Sequence, residues 1–327
     1  MAASRNSSLW YGTLITALLL PGASLAASIA SSECCPVTNV HCSCVFKGPF
    51  YSLKCHSVSE MADFKAIVES MDANAVILEL DSLHLDFLPL NVLFNSSLHT
   101  LIVGNSTFRK FRNSSDVQPR VVNLHHLSLE NVTFLEKAKW KHFTNLTNLQ
   151  VLFVYNSSVE NSINLNFARY LSKSLVSITV AESNITTIER NSLKNFKNLT
   201  YLRISHNNVR TFSRDVLPKT SKLEQLRLDS NKIHSLPAGM FGNLPNLKFV
   251  SLSNNTISNL SQEIFGPLWR SDMHLDLRGN PVKCDNRMLW TVASESRPKR
   301  IIGKCVHPKQ LYGKNIERLG EEDLNCE

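Results

Sequence analysis

Along the stretch NLTYLRISHNNVRTF, Asn198 to Phe212, apolar side chains fall at Leu199, Leu202, Ile204, Val209 and Phe212. This spacing fits neither the 3.6-residue period of a helix nor the plain alternation of a long strand. The same series restarts at Leu223 in KLEQLRLDSNKIHSL and at Leu247 in NLKFVSLSNNTISNL, 24 residues on each time. Backwards, the phase lands on Leu175, Leu149, Leu124 and Leu98. Forwards, it reaches SDMHLDLRGNPV, where Leu275, Leu277 and Asn280 keep the pattern. A weaker first copy, AVILELDSLHLDFL, carries Leu78 and Leu80. About nine units of 23 to 26 residues result.

Self-similarity at this period is the signature of a leucine-rich repeat. In L-x-x-L-x-L-x-x-N-x-L, the L-x-L portion predicts a short strand with two inward side chains. Successive strands stack in parallel, and the next apolar position turns the chain back under the sheet. Asn207, Asn231, Asn255 and Asn280 fall in that turn, where a buried amide can pair backbone groups that would otherwise be left unbonded. Late aromatics, Phe143, Phe196, Phe241 and Phe265, are expected to fill the convex side. One unit cannot bury its own face, so several must stack. Each buried Leu or Phe contributes about 1.5–3 kcal/mol before entropy costs. Earlier units place Ser106, Val132, Ser157 and Ser183 at the asparagine site and run longer, which predicts a less regular convex side there.

Composition adds little that conflicts. The chain has 327 residues, 43% hydrophobic and 19% charged, enough for a sizeable core and not the make-up of a disordered chain. A net charge of +8 favours acidic partners, such as sulfated glycans or anionic membranes. It is too small to argue nucleic-acid binding by itself.

The first residues read as a secretory signal. Arg5 precedes the apolar run LWYGTLITALLL, and small residues end at Ala26, with Ala30 a second cleavage candidate. No later stretch has the length of a membrane span, and GEEDLNCE is no lipid-anchor tail. The expected location is therefore secreted and extracellular. Sequons at Asn95, Asn105, Asn113, Asn131, Asn145, Asn156, Asn184, Asn198, Asn254 and Asn259 are dense enough to predict several surface glycans.

A solenoid exposes its core at both ends and needs caps. CCPVTNVHCSCVFKGPFYSLKC precedes the repeats, and NPVKCDNRMLW with Cys305 and Cys326 follows them. Together these features resemble the secreted leucine-rich repeat superfamily. The resemblance implies an α/β leucine-rich repeat solenoid. A curved parallel β-sheet would line its concave face, with a mostly irregular convex side of short turns or helices and disulfide caps at both ends. It divides the chain into a signal peptide (1–26), an N-terminal cap (27–74), repeats (75–282) and a C-terminal cap (283–327). It also implies the pairings Cys35–Cys44, Cys42–Cys55 and Cys284–Cys305. Asn286 stands where the superfamily would have another cysteine. Cys34 and Cys326 are then left over, either free or bonded to another chain, with an intermolecular disulfide the favoured reading. Pairing of Cys284 with Cys326 is a competing arrangement.

More narrowly, the CPV…CxC…SLKCHSVSEMADF stretch resembles arthropod secreted proteins that include the non-catalytic subunit of the shrimp luciferase complex. That resemblance implies an accessory subunit of a secreted enzyme complex as the alternative to a recognition protein.

Partners of such solenoids dock on the concave face. With the first leucine of each unit as position one, positions three, five and seven point there. The candidate contacts are Phe153, Tyr155, Tyr201, Arg203, Arg227, Asp229, Phe249, Asp276 and Arg278, aromatic and arginine types common at binding hot spots. The competing reading makes Arg227 with Asp229, and Asp276 with Arg278, plain surface ion pairs. Sequons at Asn105, Asn131, Asn156 and Asn254 fall at position eight, beside the concave face. Glu182, His206 and Ser230 hold that position in the units between, which leaves a glycan-poor window around Tyr201, Arg203, Arg227 and Asp229. The basic run RPKRIIGK, Arg297 to Lys304, with Lys309 and Lys314, is a second candidate surface for anionic glycans, or else a solvated loop. RPKR also resembles a dibasic processing site.

No catalytic constellation emerges. His125 and His126 would point to opposite faces of a strand, poor geometry for a metal. No glycine frame marks a nucleophile, and 11 glycines build no phosphate loop. The expectation is a non-enzyme without cofactor or metal that binds an extracellular protein or glycan.

Overall fold

The computed structural model describes residues 42–88, 90–93, 97–111 and 123–324. A twelve-stranded sheet runs through them. Its order is Cys42–Lys47, Phe50–His56, Ala75–Asp81, Thr100–Gly104, His126–Glu130, Val151–Tyr155, Ser177–Ala181, Tyr201–Arg203, Gln225–Arg227, Phe249–Ser251, His274–Asp276 and Arg300–Ile302. The first two strands form an antiparallel hairpin, and every later neighbour is parallel. The nine strands from Ala75 to Asp276 are those of the repeat units.

The L-x-L rule accounts for the strands. Leu202, Ile204, Leu226, Leu228, Val250 and Leu252 are buried on one face, while Tyr201, Arg203, Gln225, Arg227 and Phe249 between them stay half-buried on the other. Across the core from the sheet lies a chain of touching aromatics. Phe111 packs on Phe143 at 4.6 Å, Phe143 on Trp140 at 5.7 Å, Trp140 on Phe167 at 4.8 Å and Phe167 on Phe196 at 5.7 Å. Phe241 and Phe265 form a separate pair at 5.9 Å. The four convex-side aromatics expected from the sequence are all buried.

The turn asparagines act as buried clips. Asn207 Oδ1 accepts from the backbone N–H of Ser183 and Ile185, and its Nδ2 donates to the carbonyls of Val180 and Ser205. Asn231, Asn255 and Asn280 repeat this one unit later each time. Where the sequence has serine, the hydroxyl does a smaller version of the same job. Ser106 and Ser157 accept from Leu83 N–H and Val132 N–H, and donate to carbonyls two residues back.

The convex side is short 3-10 segments such as Trp140–Phe143 and Arg214–Val216, with brief helices at Leu165–Tyr170 and Gln262–Phe265. The irregular early units differ from expectation in one respect. His84–Phe87, Thr107–Lys110 and Thr133–Phe134 form a separate three-stranded parallel sheet.

Both caps extend the main sheet. Cys42 bonds Cys55 across the hairpin, and the helix Met61–Glu69 buries Phe64, Ile67 and Val68 beside it. Cys44 is disulfide-bonded; its expected partner Cys35 lies outside the described residues, as do Cys34 and Cys326. At the other end Cys284 bonds Cys305, which excludes the competing Cys284–Cys326 pairing. The RPKRIIGK run is a loop only in part: residues 297–299 are irregular, with Arg297 and Lys299 exposed. Arg300–Ile302 is the last strand of the main sheet, paired with His274–Asp276, and Ile301 is buried. The bond after Arg300 therefore lies inside a paired strand, where a processing protease cannot bind it without first stripping it from the sheet.

Candidate functional site

Parallel register turns the concave positions into rows. The position-three row reads His126, Val151, Ser177, Tyr201, Gln225, Phe249 and His274, ending at Arg300. The position-five row reads Glu79, Ile102, Ser128, Phe153, Thr179, Arg203, Arg227, Ser251 and Asp276. Register thus sets Arg203 directly beside Arg227, with Tyr201 and Phe249 in the adjacent row. Phe153 and Tyr155 stack two units earlier at 6.3 Å.

The two proposed ion pairs behave differently. Arg278 grips Asp276 through two nitrogens, the shortest contact 2.6 Å. Asp276 is buried at 5% exposure, so Arg278 is the exposed member, and the carboxylate raises the guanidinium pKa. Arg227 and Asp229 do not pair. Asp229 instead accepts from the Ser205 hydroxyl at 2.8 Å and lies 3.7 Å from His206 Nε2. The Arg227 guanidinium sits over the Phe249 ring at 4.6 Å. The Nε atoms of both Arg203 and Arg227 are buried and bond no protein group.

The N-terminal half of the face carries Glu79, Asp81, Glu130 and Glu182, with Lys54 within 3.5 Å of Glu79. Glu182 accepts from the Tyr155 hydroxyl at 2.8 Å, and burial, with this bond, raises the tyrosine pKa. Burial likewise raises the Glu130 pKa and lowers that of His126 to about 4. The C-terminal half carries Arg203, Arg227, Arg278 and Arg300, interspersed with Asp229 and Asp276.

Small residues lie between these larger groups. Thr179, Ala181, Ser205 and Ser251 face the concave side yet are buried, so these positions offer little contact area. His126 opens its strand with a buried, unbonded Nε2, and His125 packs edge-on against His99 at 5.0 Å instead of joining it.

The position-eight residues have a structural task that the sequons hid. Asn105, Asn131, Asn156, Glu182, His206, Ser230, Asn254 and Gly279 all have φ between 44° and 68°, left-handed backbone that asparagine and glycine adopt most readily. Asn105 Nδ2 donates to Asp81, Asn131 to Asn105, and Asn156 to Asn131, at 2.7, 3.0 and 2.9 Å. These three sequon asparagines are exposed, as are Asn184, Asn198, Asn254 and Asn259. Asn145 is not: it is buried at 7% exposure in the turn between the core residues Phe143 and Leu146. Asn95 and Asn113 lie outside the described residues.

A family profile described as leucine rich repeat matches residues 173–233 and 221–282. The fold is a leucine-rich repeat solenoid. Solved structures with the same fold include a chain from the octameric complex of Latrophilin 3, Unc5D and the leucine-rich repeat region of FLRT2. That match is 20% identical, covers 79% of this chain and 92% of the other, and has a TM-score of 0.55. Human 5T4, also titled trophoblast glycoprotein, aligns over 91% of this chain and all of its own, at 17% identity and a TM-score of 0.59. A Leptospira interrogans leucine-rich repeat protein aligns over 76% of this chain and 59% of its own, at 20% identity and a TM-score of 0.58. A search of curated protein sequences gave no match. No helix among the described residues is long and apolar enough to cross a membrane.

Proposed function

We propose that this chain is a secreted, glycosylated recognition protein that docks an extracellular protein on its concave sheet. The contact window is centred on Tyr201, Arg203, Arg227 and Asp229, with Phe153 and Tyr155 on one side and Phe249 on the other. The observation that carries the reading is the side-by-side placement of Arg203 and Arg227 among aromatic rings on a parallel sheet. Aromatic and arginine side chains held on rigid strands give binding area at low ordering cost. Sequons line the position-eight edge of the early units, and the window falls where Glu182, His206 and Ser230 replace them. A similar solenoid assembles with Latrophilin 3 and Unc5D, which supports partner docking as a use of this fold.

Photo-crosslinking tests the proposal. Benzoylphenylalanine would replace Tyr201 in one protein and the exposed convex-side Leu165 in another, each applied to live cells and to secreted material. A crosslinked partner from position 201 alone supports concave docking, and mass spectrometry then names it. A catalytic chain in that band would assign the accessory-subunit role. Crosslinks from position 165 alone would overturn the proposal.

A further inference from the structure

We propose that Arg203 and Arg227 form a clamp for one carboxylate, an aspartate or glutamate side chain of the protein partner. This rests on the concave-docking reading and specifies its chemistry. The two arginines are cross-strand partners, so their side chains leave the same face about 4.8 Å apart. Two guanidinium groups carried on neighbouring strands repel, and neither buried Nε–H bonds a protein group. A local acid would ordinarily relieve both costs, yet each one nearby is engaged elsewhere. Asp229 is held by Ser205 and His206, Asp276 by Arg278, and Glu182 by Tyr155.

One carboxylate bridging the pair would neutralise the repulsion and take charge-assisted bonds from two planar donors. Phe249 holds the Arg227 guanidinium over its ring, and the N–H groups remain its bonding sites. The flanking residues of the same row, Thr179 and Ser251, are small and buried, so a carboxylate can reach the pair without meeting a bulky side chain.

The surroundings favour a protein carboxylate over a sulfated glycan. A polyanionic chain needs an extended basic stripe. Here Asp229 and Asp276 share the C-terminal half of the face with the arginine pair, and Glu182 stands one unit before it, so a long polyanion would meet carboxylates that a single side chain avoids. Tyr201 and Phe249 beside it offer apolar area to the residues flanking an acidic side chain.

Arginine side-chain NMR reads this directly. Secreted, deglycosylated protein labelled with ¹⁵N-arginine would be titrated at millimolar concentration with blocked Tyr-Asp-Tyr, blocked Tyr-Asn-Tyr and a heparin-derived hexasaccharide. R203K and R227K variants assign the two Nε–H resonances. Both resonances should move together with the aspartyl peptide, and the asparaginyl peptide and each lysine variant should weaken binding by about tenfold or more. No movement, equal response to the asparaginyl peptide, or movement with the hexasaccharide alone would each overturn the clamp. Shifts of the Tyr201 and Phe249 ring signals with both arginines silent would also overturn it, while sparing the concave-docking reading. Peptide binding that moves neither the rings nor the arginines would count against both.

Discussion

Asn131 Nδ2 donates to Asn105 Oδ1 at 3.0 Å, joining left-handed residues of two neighbouring units. Both belong to sequons, so the nitrogen that would carry a glycan is also a rung of a side-chain ladder running from Asp81 to Asn156.

Rungs on adjacent strands stand about 4.8 Å apart, too close for three independent sugar cores. Molecules glycosylated at Asn105, Asn131 and Asn156 together should crowd their sugar cores against one another and strain the ladder, fold less well and be depleted from secreted material. Glycopeptide mass spectrometry of the secreted protein should find alternate occupancy, with Asn145 bare in the folded product. Full occupancy of all three rungs would contradict this.

The buried clips should matter more than any surface pair. Asn207→Ala leaves two N–H groups and two carbonyls without their partners, at a cost of about 1–3 kcal/mol for each group that finds no substitute. A total loss of roughly 3 kcal/mol or more is expected in denaturant unfolding. Asn207→Ser should lose less, because Ser157 and Ser183 already serve earlier turns in that way.

Acid should weaken the N-terminal half of the array through His126. Its folded-state pKa of about 4 lies below the ordinary 6.5, so the unfolded chain binds more protons between those values. Stability falls as pH drops through that window, by at most about 3 kcal/mol. Glu130, whose pKa is raised, acts in the opposite sense, its contribution growing as pH falls. The difference between wild type and His126→Gln isolates the histidine. Thermal unfolding from pH 7 to pH 4 should decline less steeply in the variant, and parallel curves would refute the assignment.

The RPKR run should resist processing. Arg300 N–H bonds Met273 O and the strand pairs with His274–Asp276. A dibasic-specific protease should leave the native protein intact and cut after Arg300 only once the Cys284–Cys305 bond is reduced and the cap unfolds. Rapid cleavage of native protein would show that the strand is not held as described.

Much of this was legible because the repeat applies one rule many times. Leu199, Leu202 and Ile204 define a unit that Leu223, Leu226 and Leu228 repeat, and a buried Asn at a fixed offset has one use in such a turn. The three-stranded convex sheet was not legible, since Thr133–Phe134 is too short a segment to show any period. Position eight carried two meanings. Asn105, Asn131 and Asn156 read as sequons, whereas the left-handed backbone they share with Glu182, His206 and Ser230 appears only in φ. On the concave face, sequence placed Arg227 near Asp229, but Ser205 from the neighbouring unit takes that carboxylate, a competition between units that spacing along one strand does not encode.

The central claim is that a partner docks over Arg203 and Arg227. The most direct test places a glycan there: Gln225→Asn with Arg227→Thr creates a sequon in the middle of the window. Affinity for the crosslinked partner would then be compared with that of wild type and of a protein lacking the edge sequons at Asn105, Asn131 and Asn156. The account predicts that the central glycan abolishes binding and that loss of the edge sequons leaves it intact. Unchanged binding by the centrally glycosylated protein, or loss of binding without the edge sequons, would contradict it.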